Sequence, residues 1–183
     1  MSEKIRCFIA IDLPKEAIET IQSIQKLIKK HNLVEGKYTA PEHLHLTLKF
    51  LGEISPEHIK LVQERLKIVH FTDFDVELGE VGVFSKDFVR IMWVQLAGKG
   101  IRELQQTIDA ALEGMFPKEQ RFMSHITIVR VRKAKDKKAL MEFLKTLSTP
   151  SPSFSVPGFV LKQSTLTPQG PIYKDLAFYP CSS

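Results

Sequence analysis

Hydrophobic and polar positions along the chain follow two periods, one of about 3.6 residues and one of two. Helical spacing of apolar residues predicts helices over 14–31, 55–69, 101–114 and 136–147. Strand-like patterns predict strands over 6–12, 43–51, 74–84, 90–96, 122–131, 154–166 and 172–179. Residues 32–42, which are polar and include Gly36 and Pro41, are predicted to be a loop, as is the segment 148–153, rich in proline and serine.

The order of these elements indicates the fold class. Strands and helices are interleaved, but residues 85–87 join two strands as a hairpin and the last two strands form a closing pair. The chain has no glycine-rich phosphate loop after a strand. The pattern therefore favours an α+β sandwich with mixed or antiparallel sheets over a doubly wound parallel sheet. With 183 residues, we expect one domain over 1–183.

The composition indicates which general class of protein this is and does not change the predicted fold class. Hydrophobic residues make up 43% of the chain and charged residues 26%, as in ordinary globular proteins. Apolar runs are far shorter than the roughly 20 residues that span a membrane, and no signal-peptide pattern opens the chain, so we expect a cytoplasmic protein. Cys7 and Cys181 have no metal-ligand spacing, and we expect Cys7 to be a buried thiol.

The chemistry is indicated by a repeated tetrapeptide. His45-Leu46-Thr47-Leu48 recurs as His125-Ile126-Thr127-Ile128, with both copies inside strand-like runs. Residues i and i+2 of a strand face the same way, so each copy presents an imidazole and a hydroxyl to one side while its apolar residues anchor the strand. By the same alternation Lys49 is predicted to share the face of His45.

Two imidazoles and two hydroxyls facing one groove suit the cleavage of a phosphodiester. One histidine can take a proton from the attacking water or hydroxyl, and the other can give one to the departing oxygen, since the unperturbed pKa of about 6.5 permits both near neutrality. The threonine hydroxyls can donate to the non-bridging oxygens of phosphorus. The scheme requires no metal, and we expect no metal and no cofactor.

These motifs resemble the paired His-x-Thr signature of the 2H phosphoesterase superfamily. Their context, FIAIDLP, HLTLKFLGE and SHITIVR, resembles the branch of RNA 2′,3′-cyclic phosphodiesterases and 2′-5′ RNA ligases. The resemblance implies a bilobal α+β fold with pseudo-twofold symmetry, helices outside and the motifs facing each other across a central cleft. It implies an enzyme that hydrolyses the 2′,3′-cyclic phosphate at an RNA end to a 2′-phosphate. We expect RNA as the partner and a monomer.

The resemblance also implies roles for individual residues. His45 would be the proton donor to the ribose 3′ oxygen and His125 the proton acceptor from water. The residues implied to bind substrate are Thr47, Thr127, Arg130 and Phe50. Arg130 and Phe50 each lie five residues after a motif histidine, and this odd offset points them away from the cleft unless a bulge intervenes.

Other interpretations stay open at this point. His43 and His45 could chelate a metal from one strand face, although no cysteine or carboxylate supports them. Ligation of a cyclic phosphate to a 5′-hydroxyl would use the same residues as hydrolysis. A non-catalytic RNA-binding module is the third alternative, and the basic run 130–138 and the net charge of +5 are compatible with all the RNA-directed functions.

Overall fold

Two antiparallel β-sheets lie on either side of one cleft in the computed structural model, which describes residues 4–147 and 153–182. The strands are β1 Ile5–Asp12, β2 Val34–Tyr38, β3 His45–Ile54, β4 Asp75–Val83, β5 Ile91–Ala97, β6 His125–Ala134, β7 Ser153–Ser155, β8 Gly158–Thr167 and β9 Gly170–Pro180. The helices are α1 Lys15–His31, α2 Pro56–Leu66, α3 Lys99–Ala111 and α4 Lys137–Thr146, and a short 3₁₀ helix covers Pro41–His43. The predicted α+β class with antiparallel sheets is confirmed.

The two halves of the chain repeat one order of elements. Apart from the short elements β2, the 3₁₀ helix and β7, the first runs β1, α1, β3, α2, β4 and the second runs β5, α3, β6, α4, β8. The sheet orders are β3-β1-β8-β9 and β2-β6-β5-β4-β7, so β8 completes the sheet begun by β1 and β4 completes the sheet begun by β5. The halves therefore exchange a strand, and the pseudo-twofold relation implied by the resemblance is present.

The helices are exchanged in the same way. After β1, α1 crosses to the other sheet and contacts β2 and β6, whereas α3 leaves β5 and contacts β3 and α2. The ring of His31 at the end of α1 lies 4.1 Å from the ring of Phe143 on α4. The buried face of α1 carries Ile21, Ile24 and Ile28, as its apolar spacing predicts. Each sheet is thus covered by one helix from each half.

Local signals set several boundaries as the sequence indicates. Ser55 caps α2 by accepting a hydrogen bond from the His58 amide at 3.3 Å, with Pro56 in the first helical turn. Asp136 caps α4 through the Ala139 amide at 2.9 Å. Asn32 ends α1 in the left-handed conformation, with φ of 53°.

The predicted loop over 32–42 is wrong. Its first part is β2, an edge strand that pairs with β6, and its last part is the 3₁₀ helix. A Cβ atom on Gly36 would lie 2.3 Å from the Arg130 carbonyl oxygen, so only glycine permits this close pairing. The alternation that reveals a strand is absent because β2 is short and its register shifts between Glu35 and Gly36.

Two strand predictions also need correction. β3 begins at His45 rather than at 43, and it continues through Gly52, whose φ is 73°, to Ile54. The predicted strand over 154–166 is two strands: β7 pairs with β4 in one sheet, and β8 pairs with β1 in the other. Most of the predicted loop over 148–153 lies outside the described residues.

One continuous cluster of buried apolar residues joins the sheets and helices. Cys7 belongs to this cluster, with 1% of its surface exposed, and burial raises the pKa of its thiol to about 11. The prediction that Cys7 is a buried thiol is therefore confirmed. In the part of the chain that the structure describes, no helix is long and apolar enough to cross a membrane.

Candidate active site

The cleft between the sheets is a cavity of about 520 Å³ into which both repeated motifs open. The motif residues that line it are His45, Thr47, His125 and Thr127. β3 and β6 lie close together at its centre, and in each motif the intervening residues Leu46, Leu48, Ile126 and Ile128 are almost fully buried. The sequence therefore placed the four polar side chains in one groove correctly.

The two imidazoles are held in the same way. His45 Nδ1 lies 2.8 Å from the carbonyl oxygen of His43, and His125 Nδ1 lies 2.8 Å from that of Met123. A carbonyl oxygen only accepts, so Nδ1 carries the proton in both rings and Nε2 is the nitrogen left for chemistry. The Thr47 hydroxyl lies 3.1 Å from His45 Nε2 and can donate to it.

The environment of His45 favours its neutral form. Burial lowers the pKa of His45 to about 4, and the positive charge of Lys162 acts in the same direction. The hydrogen bond to the His43 carbonyl and the charge of Asp12 partly oppose this shift. Lys162 is itself held by Asp12 at 3.0 Å and Asp175 at 2.6 Å. In the free protein His45 is therefore uncharged at neutral pH.

A bulge at the same position in both motifs brings Phe50 and Arg130 into the cleft. On β3, Thr47 pairs with Ala10 and Lys49 with Ile9, so Leu48 is an extra residue. On β6, Ile128 is the extra residue in the pairing with β5. Each bulge reverses the alternation, and both Phe50 and Arg130 line the cavity. Phe50 is 68% exposed, which leaves one face of its ring available.

The same bulge turns Lys49 away from the cleft, so its predicted position beside His45 is wrong. Its ammonium group is buried against α3, where it forms an ion pair with Asp109 and donates to the Pro117 carbonyl oxygen at 2.7 Å. The other oxygen of Asp109 accepts from the Gln105 amide at 2.7 Å and from the Glu119 backbone N–H at 2.9 Å. Burial alone would raise the pKa of Asp109, but these hydrogen bonds hold it below its usual value.

A matching contact braces the second motif. Gln25 on α1 is buried, and its amide donates to the carbonyl oxygens of Ile128 and Thr39, both at 2.9 Å. Ile128 is the bulge residue of β6. A helix from each half thus places one buried polar side chain against the bulge of the other half's motif strand: Gln25 against β6, and Asp109 against β3.

Aromatic rings surround the imidazole of His45, and one aromatic ring contacts the imidazole of His125. Phe8 lies 4.9 Å and Tyr173 5.4 Å from the His45 ring, and His43 lies 4.9 Å from Tyr173. Tyr173 is therefore part of the cleft. Beside the second motif, Phe84 meets the His125 ring edge-on at 4.8 Å.

Trp93 is a core residue, since only 6% of its surface is exposed. Phe84 is 51% exposed and was missed as a neighbour of the site. Its contact with His125 arises from tertiary packing, which no local pattern in the sequence reports.

The sequence also missed two cations of the cleft, Arg6 and Lys37. Arg6 lies in β1, whose apolar residues dominate its pattern, and Lys37 lies in the segment interpreted as a loop. Lys37 donates to the Gln169 carbonyl oxygen at 2.7 Å and so joins β2 to the turn between β8 and β9. The position of Arg6 could have been suggested by its alternation with Phe8, whereas no alternation in β2 indicates Lys37.

Of the basic run 130–138, Arg130 lines the cleft, whereas Arg132 and Lys135 lie beside Glu35 at 3.1 and 3.9 Å. The run therefore contributes one cation to the cavity itself. Within residues 4–147 and 153–182, no group of three His, Cys, Asp or Glu side chains is placed to hold a metal ion.

Comparison with known proteins gives consistent matches over the whole chain. The profile of the LigT-like phosphoesterases matches twice, over residues 11–93 and 94–173. An RNA 2′,3′-cyclic phosphodiesterase of Archaeoglobus fulgidus is 34% identical over 182 residues, covering 96% of this chain and 99% of the relative. One of Methanocaldococcus jannaschii is 32% identical over 174 residues, covering 93% and 97%. The crystal structure of apo LigT from E. coli superposes with a TM-score of 0.78 at 26% identity and covers both chains completely.

Proposed function

The chain belongs to the LigT-like phosphoesterase family of the 2H superfamily, and we propose on that basis that it hydrolyses the 2′,3′-cyclic phosphate at an RNA end. The observation that supports this most directly is the pair of imidazoles that present Nε2 to one cavity, which Thr47 and Thr127 also line, with the Thr47 hydroxyl 3.1 Å from His45 Nε2. A site that only binds phosphate gains little from two imidazoles, whereas an acid and a base are both needed to open a cyclic diester.

The proposed reaction is an in-line displacement at phosphorus. His125 Nε2 takes a proton from water as the water oxygen bonds to phosphorus. The bond from phosphorus to the ribose 3′ oxygen breaks, and His45 Nε2 gives that oxygen its proton. The products are a 3′-hydroxyl and a 2′-phosphate. Thr47 and Thr127 donate hydrogen bonds to the non-bridging oxygens, where negative charge increases in the transition state.

His45 must carry a proton on Nε2 to act as the acid, and the negative charge of the bound substrate favours that protonation. A phosphodiester charge about 4 Å from the ring contributes roughly 4 kcal/mol at an effective dielectric constant of 20, or about 3 pKa units. That contribution offsets the lowering of the His45 pKa by burial. Binding of the anion and protonation of His45 are therefore coupled in this scheme.

Arg130 and Phe50 complete the proposed substrate site. The Arg130 guanidinium can form charge-assisted hydrogen bonds with phosphate oxygens. The exposed ring of Phe50 can stack on the nucleobase of the terminal nucleoside, an interaction worth about 1–3 kcal/mol. No metal enters this scheme, so we propose a metal-independent reaction.

A product assay on an oligonucleotide with a 2′,3′-cyclic phosphate end tests the proposal. We expect conversion to a 2′-phosphate at full rate in EDTA, and a loss of on the order of a hundred- to ten-thousand-fold for His45→Ala and for His125→Ala. Unchanged melting temperatures would show that both variants are folded. Full activity in either variant would refute the two-histidine mechanism, and salt-dependent RNA binding without conversion would instead support the binding-module alternative.

Ligation to a 5′-hydroxyl is the second candidate, and Phe84 is the observation that favours it. Its half-exposed ring next to His125 offers apolar surface for a second nucleoside beside the proposed base. Incubation of an RNA that has a cyclic end with a second RNA that has a 5′-hydroxyl would reveal a longer product. Loss of that product in Phe84→Ala, with hydrolysis retained, would assign the second nucleoside to this surface.

A further inference from the structure

One face of the first sheet carries a cation that has no carboxylate partner within residues 4–147 and 153–182 and that the proposed reaction does not use. Arg6 on β1 lines the cleft and is exposed. Glu53 is its cross-strand partner on β3, but the two side chains do not form an ion pair, and no other carboxylate among the described residues pairs with Arg6. Lys162 on the same face, in contrast, is held by two aspartates.

Two hydroxyl groups lie in the same row as Arg6. Arg6 pairs with Ser164 on β8, and Ser164 pairs with Tyr173 on β9. Side chains of directly paired residues point to the same face of a sheet, and all three residues line the cavity. A guanidinium with two hydroxyls in succession on one side of it is a set of hydrogen-bond donors suited to phosphate oxygens.

The position of this row relative to the motifs indicates what it can reach. Thr47 pairs with Ala10, and Arg6 lies four residues from Ala10, so the backbones of Arg6 and of the first motif are about 13 Å apart at 3.3 Å per residue, while the Tyr173 ring extends to within 5.4 Å of the His45 ring. The flexible stem of Arg6 shortens that separation. Phe50, the proposed base platform, pairs with Phe8 and so lies between the two rows.

The electrostatics of Tyr173 agree with this placement. Burial raises the pKa of its hydroxyl, but the charges of Arg130, Arg6 and Lys162 act in the opposite direction. Arg130 comes from the opposite wall of the cleft, so cations of both sheets act on the region around this hydroxyl.

We propose that Arg6, Ser164 and Tyr173 form a second phosphate subsite, separate from the paired motifs, for the phosphate on the 5′ oxygen of the terminal nucleoside. This inference rests on the proposed function, because the first phosphate must occupy the motifs and the base must lie on Phe50. The ligand group is either a 5′-phosphomonoester or the internucleotide diester of a longer RNA. The subsite makes the enzyme prefer nucleotides that carry this phosphate over a nucleoside cyclic phosphate.

Three substrates test the subsite: adenosine 2′,3′-cyclic phosphate, the same compound with a 5′-phosphate, and the dinucleotide ApA ending in a cyclic phosphate. We expect kcat/KM to be roughly tenfold or more higher for the last two than for the first, as for a charge-assisted hydrogen bond. In Arg6→Gln this ratio should fall towards one. Arg102→Gln removes an exposed charge on α3 and should keep the ratio of the unaltered protein.

The outcomes separate this inference from the proposed function. Preference for the dinucleotide alone would assign the gain to the additional nucleoside and overturn the subsite, whereas a larger gain with the 5′-phosphorylated compound would assign the site to a monoester. Equal turnover of all three substrates would overturn the subsite and leave the hydrolase intact, and turnover of none would overturn both. If Arg6→Gln does not fold, the double variant Ser164→Ala, Tyr173→Phe removes the hydroxyls without changing charge, and an unchanged ratio there would overturn the proposal.

Discussion

Lys49→Met removes one partner of the buried ion pair that braces the first motif strand. The thioether side chain fills a similar volume but gives up the ion pair with Asp109 and the hydrogen bond to Pro117. The side chains of Lys49 and Asp109 are only 4% and 7% exposed, so water cannot replace the lost ammonium group. Asp109 would keep its hydrogen bonds from Gln105 and the Glu119 backbone.

The expected cost follows from this geometry. Removing one member of a buried ion pair destabilises a protein by about 3–5 kcal/mol, since the other charge stays buried without compensation. Because two hydrogen bonds still solvate Asp109, the lower end, about 3 kcal/mol, is expected. Activity should fall as well, since Lys49 directly follows the bulge that positions Thr47 and Phe50 on the cleft face.

Urea unfolding monitored by circular dichroism measures the free energy of unfolding of each variant. Lys15→Met is the matched control: Lys15 forms an exposed pair with Glu19 at 3.7 Å, and its loss should cost at most about 1 kcal/mol. The double variant Lys49→Met, Asp109→Asn should recover part of the stability, because it removes the buried charge while the amide oxygen still accepts from Gln105 and the Glu119 backbone.

A Lys49→Met variant whose free energy of unfolding lies within about 0.5 kcal/mol of the unaltered protein would refute the reasoning. So would a double variant less stable than the single one. Either result would mean that Asp109 is solvated without Lys49 and that the pair is not what holds β3 against α3.

Two further predictions concern His45 and Gln25. Burial lowers the pKa of His45 from 6.5 to about 4, so the unfolded chain binds a proton more readily between these values, and lowering the pH from about 7.5 to about 5 should cost about 2 kcal/mol of stability through this residue. His45→Gln should remove that part of the pH dependence in urea unfolding, and an unchanged dependence would contradict the lowered pKa. Gln25→Met leaves the Ile128 and Thr39 carbonyl oxygens without their side-chain donor and should cost about 1–3 kcal/mol, together with a lower kcat because the bulge of β6 loses its brace. A loss of stability with kcat unchanged would show that Gln25 is structural only.

The sequence allowed the class of fold and the centre of the site to be predicted because both depend on local periodicity. Alternation over His45-Leu46-Thr47 and its repeat at His125 places polar side chains on one face whatever the remaining topology. Capping residues such as Ser55 and Asp136 likewise act on their own helices. These features can therefore be predicted without information about segments that are distant in the sequence.

The errors arose where long-range pairing decides the structure. Alternation continued through Leu48 puts Lys49 on the cleft face, but the extra residue in the pairing with β1 reverses it. The bulge at Leu48 thus brings Phe50 into the site and removes Lys49 from it. The bulge can be recognised only from the pairing of β3 with β1. The short edge strand β2 is formed by pairing with β6, about 100 residues later in the chain, and no local pattern reports that either.

Exchange of strands between the halves sets the order in which the protein can assemble during its synthesis. β1 has one neighbour, β3, available early, but Arg6 pairs with Ser164 near the other end of the chain. The first half also carries β4, whose main partner β5 belongs to the second half. During synthesis, β1 can therefore pair with β3 while its other edge, the one that binds β8, has no partner. An unpaired edge of this kind can pair wrongly or aggregate. The nascent chain is therefore most accessible to chaperones and proteases between the synthesis of β3 and the synthesis of β8, which pairs with the open edge of β1.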